Sequence, residues 1–140
     1  MNSLRSAVKL PSVNNIVLDS SVLLALLNRE AGADKLTPEL LNNATSSTVN
    51  LAEVQTKLVS EGVNPDEAWQ NTLSPIREAM PFTEEQAKIA GSLVAQTRSL
   101  GLSMGDRACL ALGIVLNAPI YTADRSWKHL KLGVRIHFIR

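Results

Sequence analysis

The sequence has little of what several common classes of protein require. It contains one cysteine, which excludes a disulfide framework and a cysteine-rich zinc site. Its longest uninterrupted apolar run, residues 22–27, is far shorter than the ~20 residues that cross a bilayer. Its formal net charge is only +1, so the composition as a whole does not indicate a nucleic-acid binder. These absences predict a cytoplasmic protein that is not exported and has no membrane partner.

What is present suits one folded domain. Hydrophobic residues make up 45% of the 140 residues and charged residues 19%, which excludes a disordered chain. A chain of this length buries roughly two thirds of its unfolded surface, so it folds without disulfides or a structural metal. Residues 1–14 carry serine, asparagine and proline without a clear hydrophobic period. We therefore predict a flexible N-terminal arm over 1–14 and one domain over 15–140.

Short apolar segments alternate with helical segments along the predicted domain. Strands are predicted at 16–18, 46–49, 80–82, 119–122 and 134–139 from short β-prone runs. Helices are predicted at 20–28, 33–43, 51–62, 66–78, 83–101, 105–117 and 125–130 from helix-forming residues and stop signals. Such alternation is typical of a parallel sheet covered by helices on both faces. The predicted fold class is therefore α/β, with a central parallel sheet of about five short strands flanked by helices.

Four acidic residues stand where a predicted strand ends or a predicted helix begins. Asp19 follows the first strand, and Glu53 follows the second. Asp106 lies at the start of the apolar helix 105–117, and Asp124 follows the fourth strand. The ligand site of a doubly wound sheet lies beyond the carboxyl ends of its strands, near the point where strand order reverses. Folding is therefore predicted to bring the four carboxylates together.

Each of these acids also has a structural alternative, because acids at helix starts often serve as caps. Asp19 and Asp124 could be N-caps, and the segments 50–53 and 103–106 resemble capping boxes, each worth about 0.5–2 kcal/mol. Capping explains an acid at a helix start, but it does not explain four acids at the ligand-binding rim of one small sheet. Carboxylates that meet at such a rim repel one another, and a divalent cation removes the repulsion.

The chemistry of the predicted site favours a hard cation. Carboxylate oxygens without a suitable cysteine or histidine favour Mg²⁺ or Mn²⁺ over Zn²⁺. An ion held by one or two carboxylates and several waters binds a substrate phosphate and lowers the pKa of an attacking water. The pattern therefore favours the hydrolysis of a phosphodiester.

The four acids lie within sequence blocks that resemble those of a known family. The blocks are IVLDSSVLLALLN, SSTVNLAEVQTKL, GLSMGDRACLALG and APIYTADRSW. In this order they resemble the four motif blocks of PIN-domain nucleases, and closely those of VapC-type toxins of bacterial toxin–antitoxin pairs. The resemblance covers about residues 15–140. It implies a PIN-like fold and an Mg²⁺- or Mn²⁺-dependent endoribonuclease that acts as the toxin of a type II pair.

The resemblance also implies roles for individual residues. The family's acidic metal-site and catalytic positions match Asp19, Glu53, Asp106 and Asp124, and its small hydroxyl positions match Ser21 and Thr122. The first and third of these acids are expected to bind metal directly, and the other two directly or through water. Water would then attack the phosphorus in line, leaving 5′-phosphate and 3′-hydroxyl ends. The implied partners are an RNA substrate, a cognate antitoxin whose tail lies across the active-site groove, and a second copy of the chain in a homodimer.

Two arginines stand beside the proposed metal ligands. Arg107 and Arg125 each come directly after one of the four acids, so their guanidinium groups could steady a phosphate by charge-assisted hydrogen bonds. The alternative is that they form salt bridges with neighbouring acids. The last seventy residues contain four more basic than acidic residues, which allows a local phosphate-attracting surface.

Other functions are excluded by single positions or stay open. A phosphoaspartyl phosphatase needs a second acid two residues after the first, where this chain has Ser21. A receiver-type signalling domain needs an acidic pair after the first strand and a lysine after a late strand, and neither is present. Two alternatives stay open, namely a catalytically silent PIN-like binding module and a solitary RNA-processing nuclease.

Overall fold

Five parallel strands form the central sheet of the described chain. The computed structural model describes residues 14–140, so the predicted arm, apart from its last position, lies outside the described residues. The strands are β1 (Ile16–Leu18), β2 (Ala44–Ser47), β3 (Glu78–Met80), β4 (Ile120–Thr122) and β5 (Ile136–Phe138). They are ordered β3-β2-β1-β4-β5, and every neighbouring pair is parallel. The predicted α/β fold class with a central parallel sheet is confirmed.

The strand order reverses at β1. From β1 the chain moves outward through β2 to β3, and it then returns to place β4 on the other side of β1, followed by β5. Leu18 pairs with Tyr121, so β1 and β4 end side by side. The crevice at the carboxyl ends of two such strands is the usual ligand site of a doubly wound sheet. Asp19 follows β1 at that crevice.

Seven α-helices flank the sheet in the described residues. They are α1 (Ser20–Asn28), α2 (Pro38–Leu41), α3 (Thr48–Ser60), α4 (Pro65–Leu73), α5 (Glu84–Ser92), α6 (Val94–Thr97) and α7 (Met104–Leu116). Three 3₁₀ turns, at Ala33–Lys35, Arg98–Leu100 and Arg125–His129, complete the helical segments. None of the helices in the described residues has the length and apolar content that a bilayer crossing requires.

The sheet separates two apolar cores. Leu18 of β1 lies in one core with Leu51 of α3, whereas Val17 lies in the other core. That second core also contains Leu110 of α7 and Trp127, and all five side chains are buried. Adjacent strand residues point to opposite faces of a sheet, so β1 is covered on both sides. Burial of each leucine stabilises the fold by roughly 1.5–3 kcal/mol, which holds α3 and α7 firmly against the sheet.

Two predicted helices are interrupted in the structure. The predicted helix 33–43 is broken because the Thr37 hydroxyl caps a new helix that starts at Pro38, a favoured residue for the first helical position. The predicted helix 83–101 is broken after Ser92, whose hydroxyl donates to a carbonyl in the preceding turn at 2.7 Å. Bonds of this kind often bend helices. The prediction of two continuous helices was therefore wrong.

Two predicted strands have shifted bounds. The strands predicted at 46–49 and 80–82 each lie two residues earlier in the structure. The first ends at Ser47 because the Ser47 hydroxyl accepts a hydrogen bond from the backbone N–H of Val49 and so caps α3. The second ends before Pro81, which has no N–H to donate to a neighbouring strand. Both strands keep their predicted order, so the direction of their carboxyl ends is unchanged.

Candidate metal centre

Asp19 occupies a buried position between β1 and α1. It is 2% exposed and stands at the N-cap position of α1, yet its carboxylate makes no capping hydrogen bond. Its Oδ2 accepts hydrogen bonds from Ser21 Oγ at 2.7 Å and from Thr122 Oγ1 at 3.0 Å. Its Oδ1 is buried without a hydrogen-bond partner among the described residues. Asp19 therefore occupies the predicted N-cap position without capping α1 through its side chain, and one carboxylate oxygen remains available to a ligand.

Burial controls the charge of Asp19. Loss of solvent raises the pKa of this carboxyl from 3.8 to about 6, and the negative charge of Asp106 acts in the same direction. The hydrogen bonds from Ser21, Thr122 and the backbone of Ser20 partly oppose the rise in pKa. Burial destabilises the charged form of a carboxyl group unless an opposite charge or hydrogen-bond donors compensate it. No donor reaches Asp19 Oδ1 with hydrogen-bonding geometry among the described residues, so a cation at that oxygen would stabilise the charged form.

The raised pKa of Asp19 predicts how stability depends on pH. As pH rises from about 4 to about 7, the unfolded chain releases this proton first, so the free energy of unfolding falls. A shift of about two pH units corresponds to about 3 kcal/mol. In EDTA, the stability of Asp19→Asn relative to wild type is therefore expected to grow by up to about 3 kcal/mol over that pH range. Urea unfolding of both proteins measures this difference, and a difference independent of pH would contradict the raised pKa.

Two hydroxyls join the end of β4 to the start of α1 around Asp19. Ser21 Oγ accepts a hydrogen bond from the N–H of Ala123 at 3.0 Å, and Thr122 Oγ1 accepts one from the N–H of Asp124 at 3.1 Å. Each hydroxyl accepts from the backbone and donates its proton to Asp19 Oδ2. The hydroxyls therefore fix the orientation of the Asp19 carboxylate. Both contact this acid, which is the placement that the family resemblance implies.

Glu53 lies against the first turn of α7. The side chain is exposed, and its Oε1 accepts a hydrogen bond from Asn50 Nδ2 at 3.0 Å. A Cβ atom at Gly105 would overlap the Glu53 carboxylate, so the glycine makes room for this close approach. The N-terminus of a helix favours negative charge. Because Ser47 caps α3, the predicted capping box at 50–53 is wrong, and Glu53 instead contacts a different helix.

Asp106 serves as a cap and still has one oxygen to offer. Its Oδ2 accepts a hydrogen bond from the N–H of Ser103 at 2.8 Å, and its own N–H donates to Ser103 Oγ at 3.2 Å. This is the predicted capping box at 103–106, which is confirmed. Asp106 Oδ1 makes no hydrogen bond to the described residues. Capping therefore occupies one oxygen of Asp106 and leaves the other for a ligand.

Three of the four acids act on one buried thiol. Burial raises the pKa of Cys109 well above its usual value, and the charges of Asp19, Asp106 and Glu53 raise it further. Cys109 lies in α7, one turn after Asp106. The three negative charges therefore all act on this one position of α7. Among the described residues, however, no three His, Cys, Asp or Glu side chains form a ready-made metal cage.

Asp124 stands at the edge of this group. It is exposed, and its Oδ1 accepts hydrogen bonds from the N–H of Ser126 at 3.0 Å and from Ser126 Oγ at 2.7 Å. It thereby caps the 3₁₀ turn Arg125–His129, so the capping alternative is confirmed for Asp124. Its charge is not among those that shift the pKa of Asp19 or Cys109. The structure therefore brings three acids together and leaves the fourth at the rim.

Comparison with known families agrees with the five-stranded parallel sheet described above. The sequence profile of the PIN domain matches residues 16–132, which is most of the chain. The chain belongs to the PIN domain family. The family resemblance predicted from the sequence blocks is therefore confirmed. No curated protein sequence matches this PIN domain.

Several solved structures have the same fold as this PIN domain. VapBC2 from Rickettsia felis, bound to a promoter DNA fragment, has 20% identity and a TM-score of 0.66 over 87% of this chain and 96% of that chain. DNA-bound VapBC from Salmonella typhimurium has 14% identity and a TM-score of 0.72 over 91% and 99%. VapC20 from Mycobacterium tuberculosis, a toxin that cleaves the sarcin–ricin loop, has 20% identity and a TM-score of 0.68 over 86% and 99%. At these sequence identities the structural similarity establishes a shared fold and nothing further.

The two arginines of the PIN domain that were predicted to contact phosphate have other neighbours. Arg107 Nε donates to the carbonyl of Ser103 at 3.5 Å. The Arg125 guanidinium lies 5.0 Å from the centre of the Phe138 ring and donates to the carbonyl of Arg140 at 3.5 Å. Neither arginine forms an ion pair with an acid in residues 14–140, so the salt-bridge alternative is wrong there. Their contact with phosphate stays a prediction.

Two residues of this PIN domain site were missed by the sequence reading. Asn50 was read as part of a capping box, but it lies inside α3, fully buried, and donates to both Glu53 and the carbonyl of Gly105. Gly105 has no predicted role beyond its place in the helix 105–117 and in the capping box 103–106, although its missing side chain makes room for a carboxylate. The one signal for Asn50 is its position three residues before Glu53, on the same helix face.

Proposed function

We propose that this PIN domain is an Mg²⁺- or Mn²⁺-dependent endoribonuclease, the toxin of a type II toxin–antitoxin pair, which hydrolyses RNA phosphodiesters with metal-activated water. The observation that carries the proposal is the hydrogen bonding of the two carboxylate oxygens of Asp19. Its Oδ1 is buried without a partner, while its Oδ2 is held by two hydroxyls. A buried carboxylate oxygen in that state lacks the donor or cation that would stabilise its charge.

The residues present fit a hard divalent ion. Mg²⁺ is usually bound by one or two carboxylates and keeps several waters, so it does not need a cage of three acidic ligands. Asp19 Oδ1 and Asp106 Oδ1, which have no hydrogen-bond partner among the described residues, would hold the ion directly. Glu53 would act directly or through water from beside Gly105, and Asp124 from the rim. In residues 14–140 no His or Cys donor set accompanies these acids, and the raised pKa of the buried Cys109 keeps its thiol protonated, which favours Mg²⁺ or Mn²⁺ over Zn²⁺.

The roles of the chain's own residues follow from their contacts. When bound, the ion supplies a Lewis acid that binds the scissile phosphate and lowers the pKa of a water. Ser21 and Thr122 orient Asp19 and keep its Oδ1 turned away from their own hydroxyls. Asp106 is held by its capping box, so its carboxylate loses little conformational freedom when it binds. Arg107 and Arg125 would contact phosphate after leaving their weak 3.5 Å contacts to backbone carbonyls.

The proposed partners are supported by the structural relatives. Those relatives include VapBC toxin–antitoxin proteins and a toxin that cleaves the sarcin–ricin loop. We therefore infer a structured RNA substrate, a cognate antitoxin and a homodimeric toxin for this chain. The antitoxin would cover the anionic group formed by Asp19, Glu53 and Asp106, and a basic side chain would suit that position. A cytoplasmic location suits each of these partners.

Removal of the metal tests the proposed activity. Structured RNA incubated with the purified chain is expected to be cleaved in Mg²⁺ or Mn²⁺, to stay intact in EDTA, and to be cleaved again when Mg²⁺ is restored. Gel analysis with end-specific enzymes should show 5′-phosphate and 3′-hydroxyl products. Cleavage that persists in EDTA would contradict the metal requirement. RNA binding without cleavage in Mg²⁺ and in Mn²⁺ would instead support the catalytically silent binding module.

A further inference from the structure

We propose that Asn50 is a positioning residue that holds Glu53 in place for metal binding, an inference that rests on the proposed function. Asn50 is the third residue of α3 and is 0% exposed. Its Nδ2 donates to Glu53 Oε1 at 3.0 Å and to the carbonyl of Gly105 at 3.0 Å. One buried amide therefore joins the helix that carries Glu53 to the first turn of α7.

The orientation of the Asn50 amide is determined by its partners. A carboxylate and a backbone carbonyl are both acceptors, so the nitrogen and not the oxygen must face them. The Asn50 Oδ1 that results is buried without a partner among the described residues. An unpaired buried acceptor lowers stability. The value of asparagine at this position therefore lies in its two N–H donors, which together reach Glu53 and Gly105.

Glu53 depends on this contact for its orientation. Its side chain is exposed and long, so it would otherwise sample several rotamers. No lysine or arginine of residues 14–140 forms an ion pair with it. The Asn50 amide and the bare Cα of Gly105 are the contacts that direct its carboxylate toward the start of α7. Partners of this kind, which orient a metal ligand without touching the metal, commonly change metal affinity when they are replaced.

Mn²⁺ binding to the intact chain, without RNA, tests the inference. Asn50→Ala removes both donors, and Asn50→Thr keeps a hydroxyl that can donate to one partner. We expect Asn50→Ala to weaken Mn²⁺ binding about 10- to 100-fold and Asn50→Thr to weaken it less. Asn28→Ala is the matched control, because Asn28 is exposed in α1 and donates to Glu30 Oε2 at 3.3 Å, away from the site. Paramagnetic resonance of free Mn²⁺ measures the affinity, and circular dichroism checks folding.

A double-substitution experiment separates positioning from a merely structural role. If Asn50 acts through Glu53, Asn50→Ala should have no further effect on Mn²⁺ affinity in a Glu53→Ala background. Additive losses, or an Asn50→Ala affinity within twofold of wild type, would overturn the inference. Mn²⁺ binding by wild type without RNA cleavage would defeat the proposed nuclease while leaving the role of Asn50 intact. Normal RNA cleavage by Asn50 variants that also bind Mn²⁺ normally would overturn the role of Asn50 while supporting the proposed nuclease.

A measurement on stable proteins covers the case in which the Asn50 variants do not fold. Glu53 is exposed, so Glu53→Ala should keep the fold. In ¹H–¹⁵N spectra, the side-chain amide resonances of Asn50 are expected to shift on addition of Mg²⁺ to wild type and to stay unchanged in Glu53→Ala. Asn50 amide resonances that do not shift when Mg²⁺ is added to wild type would overturn the inference. A Mg²⁺-induced shift of the same size in Glu53→Ala would also overturn it.

Discussion

Replacing Asp19 with asparagine is expected to lower Mg²⁺-dependent RNA cleavage by roughly 10³-fold or more. A catalytic metal contributes several kcal/mol to the transition state, and about 1.4 kcal/mol corresponds to each factor of ten in rate. The asparagine carbonyl can still accept from Ser21 and Thr122, as Asp19 Oδ2 does. Its NH₂ group then takes the place of Oδ1, the oxygen that would bind the ion. Geometry is thus preserved while the ligand is lost.

The matched control for this substitution is Asp66→Asn. Asp66 is exposed in the first turn of α4, so the change removes the same charge away from the site. We expect the control to cleave RNA within about twofold of wild type, since solvated surface charges contribute little. Single-turnover cleavage rates and thermal unfolding should be measured together. Asp19→Asn protein that is folded and cleaves within tenfold of wild type would remove Asp19 from the metal site.

The fold was largely predictable because its signals are local in the sequence. The apolar run at Ile16–Leu18 and the helix formers at Ser20–Asn28 produce β1 and α1 at the predicted places. Alternation of such segments then defines a parallel sheet between two helical layers. The bounds failed where one side chain decides a hydrogen bond, as at Ser47, or where a proline removes a donor, as at Pro81. Such details depend on geometry that residue types alone do not specify.

The site was only partly predictable because its decisive contacts join distant parts of the chain. A charged residue at the end of a strand is visible in the sequence, and this pattern indicated Asp19. The unpaired oxygen of Asp19 is not visible there, because its environment depends on Thr122, which lies 103 residues away. Asn50 and Gly105 carry no charge and lie within helices, and the only pattern that indicates either of them is the spacing of three residues between Asn50 and Glu53. Only the folded arrangement shows that they surround Glu53.

These contacts also show how one short helix start can serve both stability and chemistry. The first turn of α7 is closed by a capping box with Ser103 as its N-cap, and Asp106 uses one oxygen in it. The Glu53 carboxylate lies against the same turn, where the positive end of the helix dipole favours negative charge. Capping and metal binding are therefore compatible at Asp106, because a carboxylate has two oxygens. An acid at the start of a helix can therefore cap that helix and bind a metal at the same time, so the two interpretations of these acids are not exclusive alternatives.

Gly105→Ala is expected to lower Mg²⁺-dependent cleavage by about 10²-fold without loss of stability. The new Cβ would overlap the Glu53 carboxylate, and a long exposed side chain gives way more easily than backbone. Displacement of a catalytic group by about 1 Å can reduce a rate by this factor. The backbone of Gly105 is ordinary helix, so alanine there gains roughly 0.5–1 kcal/mol of helix stability, which offsets the loss of the hydrogen bond between Asn50 and the displaced Glu53. Activity is therefore expected to fall while the free energy of unfolding stays close to that of wild type.

Gly91→Ala separates this effect from a general consequence of replacing glycine in a helix. Gly91 lies in α5, and an added Cβ there meets no atom within 4 Å. Its alanine variant should gain a similar amount of stability and cleave RNA at the wild-type rate. Equal cleavage by Gly105→Ala and Gly91→Ala would show that the position of Glu53 against α7 is irrelevant to the reaction. The Glu53 carboxylate cannot keep its position against α7 once residue 105 has a side chain. Reduced cleavage by Gly105→Ala but not by Gly91→Ala would therefore show that the reaction depends on that position.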